Sequence, residues 1–249
     1  MDTGNCPSAY YARGILEPIT GFTLRPGGLD LTRQAVNHCR FPKGAKILDI
    51  GCGYGETVRL LRSEYGFNAV GLDTGEKMLQ KARARYPDLT FVAGRAENLP
   101  FPGGELDAIF MECTFSLLNA PDIALSECHR TLKRDGRLVI SDFYYRNREG
   151  FRDREYYEKM LAAHGFRLQF WEDKSECLTQ LLVNCIMQQY DTEILWQCLL
   201  TKEENKKLTC SGLKKFKPGY FLLVAEKNAR AEHTAVQMPP ADRGGMSDG

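Results

Sequence analysis

The chain has 249 residues and a formal net charge of +1, from 33 lysines and arginines against 32 aspartates and glutamates. Hydrophobic residues make up 43% and charged residues 26%, as in ordinary globular proteins, which excludes collagen-like, low-complexity and disordered classes. The length predicts one large domain, and a charge so close to neutral argues against a general nucleic-acid binder.

The cysteines and the beginning of the chain bear on the compartment. The 9 cysteines are scattered and show no Cys-x-x-Cys spacing, so the sequence favours neither a disulfide framework nor a structural zinc site. We expect most to be reduced, partly buried small hydrophobes, with a soft-metal or thiol-chemistry role for two or three as the alternative. Residues 1–10 lack a secretory signal pattern, and no apolar run approaches the ~20 residues of a membrane-spanning helix. The sequence therefore predicts a cytoplasmic protein with no metal site.

The N-terminal part combines aromatic residues with a glycine-rich loop. The run Tyr10–Tyr11–Ala12–Arg13 is followed by the stretch Gly21–Gly28. The two glycines that close this stretch predict the end of a loop just ahead of a helix over Leu29–Cys39. Residues 1–40 therefore form an N-terminal segment ahead of the main domain, which we place at residues 41–227.

The central part alternates short apolar runs with stretches of helical periodicity. Strands are predicted at Lys46–Ile50, Asn68–Leu72, Leu89–Ala93, Leu106–Glu112 and Arg137–Ile140. Helices are predicted at Thr57–Tyr65, Glu76–Tyr86 and Ile123–Leu132, with a turn at Asp135–Gly136. This alternation predicts βαβ units and a parallel sheet that is covered by helices on both faces.

The rhythm changes after the fifth strand. Helices are predicted at Arg152–His164, closed by Gly165, at Ser175–Tyr190 and at Glu193–Leu208, and strands at Phe166–Trp171 and Tyr220–Glu226. The last two strands predict an extra hairpin-like pair at one edge of the sheet. The tail over 228–249 has few large apolar residues, so we expect disorder there.

A glycine-rich turn links the first strand to the first helix of this pattern. Gly51 and Gly53 permit unusual backbone angles and let a ligand approach the main chain, and the following helix offers free N–H groups. A dinucleotide fingerprint needs its third glycine at the position of Glu56, but here that glycine is Gly55. An acid at this helix end would repel a pyrophosphate, and Asp49 adds a second negative group. The pattern therefore favours a ligand with a positive charge, such as an α-ammonium or a sulfonium, over a nicotinamide dinucleotide.

A further acid closes the second strand. Asp73 stands where, in nucleotide-binding βαβ units, a carboxylate accepts hydrogen bonds from the ribose hydroxyls of adenosine. A plain helix cap is the alternative for this residue alone. Together with the glycines, it indicates an adenosine-binding site.

Four motifs in order carry a resemblance to a known family. They are Ile47–Gly55, Val70–Asp73, Ala96–Phe101 and Leu132–Ile140. With them the sequence resembles the class I S-adenosylmethionine-dependent methyltransferases, and it looks most like the small-molecule branch that includes the quinone C-methyltransferases. The resemblance covers roughly Lys46 to Asp142. It implies an α/β fold with a doubly wound, mostly parallel seven-stranded sheet and an antiparallel last strand, S-adenosyl-L-methionine as cofactor and S-adenosyl-L-homocysteine as product.

The resemblance also implies roles for individual residues in the cofactor site. Asp49 would orient the methionine ammonium, and the backbone of the turn would pack against the amino-acid part of the cofactor. Asp73 would bind the ribose. Glu112 would face the sulfonium end, beside Cys113 and Thr114. The implied cofactor-binding set is Asp49, Gly51, Cys52, Gly53, Asp73, Thr74, Met78, Ala96, Glu97 and Glu112.

The acceptor side is less specified. A general base is needed only if the acceptor must lose a proton, and Glu112, Tyr11 and Tyr144 are the candidates. Asp142, Tyr144 and Tyr145 follow the fifth strand, where substrates commonly sit in open parallel sheets. Related enzymes fold an N-terminal segment over the cofactor, so residues 1–40 are interpreted as a lid, with a packing segment as the alternative. Residues 146–219 are expected to shape the acceptor pocket.

Two other functions stay open at this point. The acceptor is predicted to be a small molecule, since Asn119–Asp122 offers neither the basic nor the aromatic surface that a protein or RNA acceptor would require. Arg95 stands where the family usually has an aspartate that accepts from the adenine amino group, and an arginine cannot accept a hydrogen bond. This departure motivates the alternative of a cofactor-binding protein without transfer activity. The oligomeric state is not indicated by the sequence.

Overall fold

A computed structural model of the protein describes residues 17–23, 25–147, 152–190 and 217–228. The helix predicted over Glu193–Leu208, the tail beyond residue 228 and the aromatic run at Tyr10–Arg13 lie outside the described residues.

The described strands form one mixed sheet. Its members are β1 Lys46–Ile50, β2 Asn68–Asp73, β3 Thr90–Ala93, β4 Leu106–Glu112, β5 Leu132–Tyr145, β6 Phe166–Asp173 and β7 Pro218–Lys227. The order across the sheet is β3-β2-β1-β4-β5-β7-β6. Strands β1 to β5 pair in parallel, whereas β7 is antiparallel to both β5 and β6. The predicted fold class, including the antiparallel end of the sheet, is thus confirmed.

Seven helices accompany the sheet in the described part of the chain. They are α1 Glu17–Thr20, α2 Gly28–Cys39, α3 Glu56–Ser63, α4 Glu76–Arg85, α5 Pro121–Thr131, α6 Arg154–Ala163 and α7 Ser175–Met187. Gly27 and Gly28 have φ angles of 72° and 50°, a left-handed region that glycine tolerates, so the loop ends and α2 begins where the glycine pair predicts. Gly165, after α6, has φ 76° and ends that helix as expected.

Successive side chains along each strand belong alternately to two apolar cores, one on each face of the sheet. Ile109 and Met111 of β4 belong to the core that α5 and α6 cover. Ala108 and Phe110, which alternate with them along β4, belong to the core that α2, α3 and α4 cover. Both sets are fully buried, which explains why the strands are nearly continuous apolar runs. By the same alternation, Asp49 and Glu112 point to the face covered by α2 and α3.

Strand β5 differs from its prediction. It begins at Leu132 and includes the predicted turn Asp135–Gly136, so that prediction was wrong. Asp135 adopts a left-handed φ of 61°, and the pairing with β4 shifts register between Leu106 and Ala108. Pairing with β4 is interrupted at these two residues and resumes in the same direction after them. They therefore form an irregularity inside one longer strand.

Two surveys of the described residues complete the description. None of their helices is long and apolar enough to cross a membrane. The described cysteines are all free thiols, namely Cys39, Cys52, Cys113, Cys128, Cys177 and Cys185; Cys6, Cys198 and Cys210 lie outside the described residues.

Candidate functional site

The glycine turn follows β1 at the carboxyl edge of the parallel strands. Gly51, Gly53 and Gly55 have φ angles of 76°, 51° and 83°, so each requires the conformational freedom of glycine. A Cβ atom on Gly51 would lie 2.2 Å from Oγ1 of Thr114. The turn therefore sits directly against the residues that follow β4, and no side chain fits between them.

Asp73 ties this turn to the end of β2. One carboxylate oxygen accepts from the backbone N–H of Gly53 at 2.9 Å and the other from that of Gly75 at 2.7 Å. Each oxygen of an ionised carboxylate can accept two hydrogen bonds, and the residue is only half-buried. Asp73 therefore holds the turn in shape and keeps acceptor capacity for a ligand.

Glu56, the first residue of α3, is surrounded by cations. Its carboxylate lies 3.3 Å from Nε of Arg59 and 3.1 Å from Nε of Arg85, and it accepts from the hydroxyl of Tyr86. This compensation weakens the argument that Glu56 alone would repel a phosphate. The glycine spacing is therefore the stronger argument against a dinucleotide at this turn.

A buried polar network lies between the N-terminal segment and the ends of the strands. Nη2 of Arg25 is 2.8 Å from Oε2 of Glu112, and it donates to the hydroxyls of Thr32 at 2.7 Å and Thr57 at 3.1 Å. Those hydroxyls donate in turn to the two Glu112 oxygens, at 2.9 and 2.7 Å. Arg25 and Glu112 are each 7% exposed. Burial by itself would lower the pKa of Arg25, but the negative groups around it, Glu112 first, raise that pKa above its usual value.

Asp49 is the second buried acid at this edge and is 3% exposed. Burial raises its pKa well above the usual range; Glu112 and Asp73 add to the rise, and Arg25 opposes it. A carboxyl group held in this way is ready to ionise when a cation is placed beside it. Its environment fits the ammonium-binding role that the resemblance implies.

The raised pKa of Asp49 gives a prediction for pH dependence. Because the folded protein holds this proton more tightly than the unfolded chain does, stability is lost as pH rises from the unfolded value through the folded value. The Asp49→Asn variant removes that loss. We expect its ligand-free form to melt about 2–4 °C above the unmodified protein at pH 8, with the difference shrinking towards pH 4. Differential scanning calorimetry across this range checks the prediction, and a pH-independent difference would contradict it.

The resemblance implies that Thr74, Met78 and Ala96 lie at the adenine; they come from the turn after β2, from α4 and from the segment after β3. Met78 and Ala96 are buried, while Thr74 is exposed. Arg95 points outward and pairs with Glu97 at 3.4 Å. The arginine therefore occupies the carboxylate of Glu97 rather than filling the place of the missing aspartate.

The general-base candidates end up in different surroundings. Glu112 is committed to Arg25, Thr32 and Thr57 as described above. Tyr144 packs edge-on against Trp171 and Phe221 in the core under α6, and burial raises its pKa. Tyr11 lies outside the described residues. The structure thus brings none of the described candidates into a free, base-like position at the glycine turn.

Asp142 and Tyr145, predicted beside the substrate, are both buried in the interior of the fold. Asp142 is fully buried, and its two oxygens accept from the backbone N–H groups of Ser116 at 2.8 Å and Phe143 at 2.7 Å. Tyr145 is buried in a third apolar cluster beside β4, β5 and β7, made of Leu31, Cys113, Phe143, Tyr145, Leu178 and Tyr220.

Cysteines Cys52 and Cys113 differ from ordinary reactive thiols. Burial raises the pKa of both, and Cys113 contacts the hydroxyl of Tyr220 at 3.2 Å. Cys113 also has a left-handed φ of 54°, which directs its side chain into the third cluster. Both are small apolar groups at the site rather than thiolates.

The N-terminal segment reaches the glycine turn from outside. The ring of Phe22 lies 3.7 Å below the guanidinium of Arg85 and meets the ring of Tyr54 edge-on at 5.9 Å. The Tyr54 hydroxyl contacts Glu17 at 3.2 Å. The described part of this segment therefore packs onto Tyr54, within the turn.

The Arg25 network is what the sequence analysis missed. Arg25 and Glu112 are far apart in the chain, so spacing alone does not link them. The available signal was Thr32, a hydroxyl on the otherwise apolar, buried face of α2 that carries Leu31, Ala35 and Val36.

Comparisons with curated proteins agree with this geometry. Residues 48–140 match the model of a family described as a methyltransferase domain. The demethylmenaquinone methyltransferase of Thermotoga maritima is 39% identical over 112 residues, which are 45% of this chain and 49% of that protein. The ubiquinone/menaquinone biosynthesis C-methyltransferase UbiE of Campylobacter jejuni is 32% identical over 124 residues, 47% of this chain and 53% of that protein. The chain thus spans about half the length of the curated relatives it matches.

Solved structures share the fold over more of the chain. Haemonchus contortus phosphoethanolamine N-methyltransferase 2, in complex with S-adenosyl-L-methionine, aligns with a TM-score of 0.69 at 20% identity, over 91% of this chain and 59% of that one. The cyclase SpnF aligns with a TM-score of 0.68 at 20% identity, over 89% and 94%. The family match, over residues 48–140, falls on the strands and the glycine turn that carry the quoted motifs.

Proposed function

We propose that this protein is an S-adenosylmethionine-dependent methyltransferase that transfers a methyl group to a small-molecule acceptor. The observation that carries the proposal is the set of acidic groups around the glycine turn. Asp73 keeps acceptor capacity beside Gly53, and Asp49 is buried at the end of β1. A ribose and a cationic amino-acid group are the ligand parts that such a pair suits.

The remaining residues of the implied cofactor set support the same proposal. Gly51, Cys52 and Gly53 place main chain rather than bulky side chains along the amino-acid part. Met78 and Ala96 give the adenine a buried apolar floor, with Thr74 and Glu97 at its rim. The curated relatives are named as a demethylmenaquinone methyltransferase and a ubiquinone/menaquinone biosynthesis C-methyltransferase, and methyl transfer of that kind suits a methyl-donating cofactor.

Methyl transfer requires mainly that the protein align the methyl donor with the acceptor. When bound, S-adenosylmethionine supplies a methyl group on a positively charged sulfur, and the electron pair of the carbon–sulfur bond stays on that sulfur. The protein orients donor and acceptor in line and excludes water. Asp49 and Asp73 would fix the donor at its two ends, so that an acceptor approaching past the end of β4 meets the methyl group.

The names of the curated relatives suggest the class of the acceptor. They are a demethylmenaquinone methyltransferase and a ubiquinone/menaquinone biosynthesis C-methyltransferase. We therefore propose a weakly polar ring of the quinone class as the acceptor of this chain.

Binding gives the first test. Isothermal titration of the full chain is expected to show S-adenosylhomocysteine binding and no binding of NAD, because Gly55 and Glu56 depart from the glycine spacing of a dinucleotide-binding turn. Tight binding of NAD without binding of S-adenosylhomocysteine would overturn the proposal.

Transfer gives the second test. S-adenosylmethionine with a tritiated methyl group is incubated with the protein and a cell extract, which is then separated into organic-soluble small molecules, protein and RNA. The label is expected in the small-molecule fraction. Label in protein or RNA would favour a macromolecular acceptor. Binding without label in any fraction would favour a non-transferring protein, the alternative that Arg95 motivates and that a shared fold with a cyclase permits.

A further inference from the structure

Arg25 is a buried arginine with unused donors. Its contacts with Glu112, Thr32 and Thr57 are all made by one nitrogen, Nη2. Nη1 has a contact of 3.5 Å to the carbonyl oxygen of Thr23, at the limit of a hydrogen bond. Nε is buried and has no hydrogen-bond partner in the described part of the chain. Buried polar atoms are almost always satisfied, so this donor calls for an explanation.

The pairing with Glu112 does not supply that explanation. Structural arginine–carboxylate pairs commonly use two parallel N–H···O bonds, as Arg33 does with both oxygens of Glu64 on the surface. Glu112 instead receives two threonine hydroxyls and a single arginine nitrogen. The guanidinium is therefore held in place by one nitrogen, while Nε has no acceptor among the described residues and Nη1 has only a marginal one.

The guanidinium lies beside the beginning of α3. Thr57, to which its Nη2 donates, is the second residue of that helix, and the N-cap Gly55 gives no side-chain hydrogen bond. The first N–H groups of a helix lack intrahelical acceptors and favour an anion. A cation thus lies beside a helix N-terminus, and Asp49 is one of the negative groups that raise the pKa of Arg25.

Groups of opposite charge on Arg25 and Asp49, each of which shifts the pKa of the other, suit a zwitterion. We propose that Arg25 binds the α-carboxylate of the amino-acid part of S-adenosylmethionine while Asp49 binds its α-ammonium. The inference rests on the proposed function and adds to it a residue from the N-terminal segment. It makes the carboxylate a specificity element: a nucleoside without one leaves Nε of Arg25 unsatisfied.

Three ligands test this assignment by titration calorimetry on the full chain. They are S-adenosylhomocysteine, its analogue without the α-carboxylate, and 5′-methylthioadenosine, which lacks the whole amino-acid part. The unmodified protein is expected to bind the first about 10- to 100-fold more tightly than the second, the range for hydrogen bonds to charged groups. The Arg25→Gln variant is expected to lose that preference and to bind 5′-methylthioadenosine within twofold of the unmodified protein.

Control variants separate ligand binding from folding. Arg33 lies in α2, a short distance further along the chain, and forms an exposed ion pair. Arg33→Gln removes this arginine and is expected to leave all three affinities unchanged. If Arg25→Gln does not fold, Arg25→Lys keeps the positive charge and is expected to lose part of the preference for the carboxylate.

The outcomes are distinguishable. Equal weakening of all three ligands, or an unchanged preference in the Arg25 variants, overturns the assignment and leaves the proposed function intact. An unmodified protein that binds none of the three overturns both.

Discussion

The Glu112→Ala variant is expected to lose about 3–5 kcal/mol of unfolding free energy, the cost of leaving a buried charge without its partner. Arg25 is 7% exposed and would keep the hydroxyl oxygens of Thr32 and Thr57 and the marginal contact with the Thr23 carbonyl. Those two hydroxyls would also lose the acceptor to which they donate. Urea unfolding followed by circular dichroism, extrapolated linearly to water, measures the loss.

A second pair in the same protein provides a matched control. Glu64 accepts from Arg33 through two hydrogen bonds of 2.9 and 2.8 Å, but the side chains are 37% and 38% exposed. Glu64→Ala is expected to cost much less than Glu112→Ala, because exposed ion pairs contribute little to stability. Equal losses in the two variants would mean that the Arg25 network is hydrated in solution.

A double variant examines the source of the cost. Replacing both partners, as Arg25→Met with Glu112→Leu, removes the charge together with its counter-charge. It is expected to recover most of the stability lost by Glu112→Ala, since the penalty of a broken buried pair comes from the charge that remains. The same variant is expected to lose the carboxylate preference, which separates the structural use of Arg25 from its proposed use in binding.

The strands of the sheet could be predicted from the sequence because each is specified by its own residues and those next to them. Strands β1 and β4 have the predicted bounds, since each is a short, uninterrupted apolar run between polar or glycine-rich segments. The wrong prediction of a turn at Asp135–Gly136 also comes from reading only local residues. Those two residues have ordinary turn chemistry, and only pairing with β4 keeps them inside β5.

The site could be predicted where main chain defines it and not where side chains meet across the fold. Gly51, Gly53 and Asp73 follow from the turn and the strand order, and they lie together as expected. Arg25, Thr32, Thr57 and Glu112 come from four separate elements, so no spacing rule connects them. Glu56 shows the complementary limit: its charge was visible in the sequence, but its pairing with Arg85 depends on how α4 packs beside α3.

Loss of the Asp73 carboxylate is expected to weaken S-adenosylhomocysteine binding by about 10- to 100-fold, because hydrogen bonds to a charged acceptor contribute about 1.5–3 kcal/mol. Asp73 also accepts from Gly53 and Gly75, so Asp73→Ala could act by deforming the turn instead. An analogue of S-adenosylhomocysteine without its ribose 2′-hydroxyl separates the two causes. If the carboxylate binds the ribose, the unmodified protein prefers the natural ligand and Asp73→Ala does not.

Asp107 gives the matched control for this experiment. It too is an acid on a parallel strand that accepts a backbone N–H, from Lys46 at 2.8 Å, and it pairs with Lys133 at 2.7 Å. It lies near the amino end of β4, away from the glycine turn, so Asp107→Ala is expected to leave both affinities unchanged. Full affinity in Asp73→Ala would contradict the ribose assignment, and an equal loss for both ligands would assign Asp73 to the shape of the turn. The decisive quantity is therefore the ratio of the two affinities, because only direct contact between the carboxylate and the hydroxyl makes that ratio depend on Asp73.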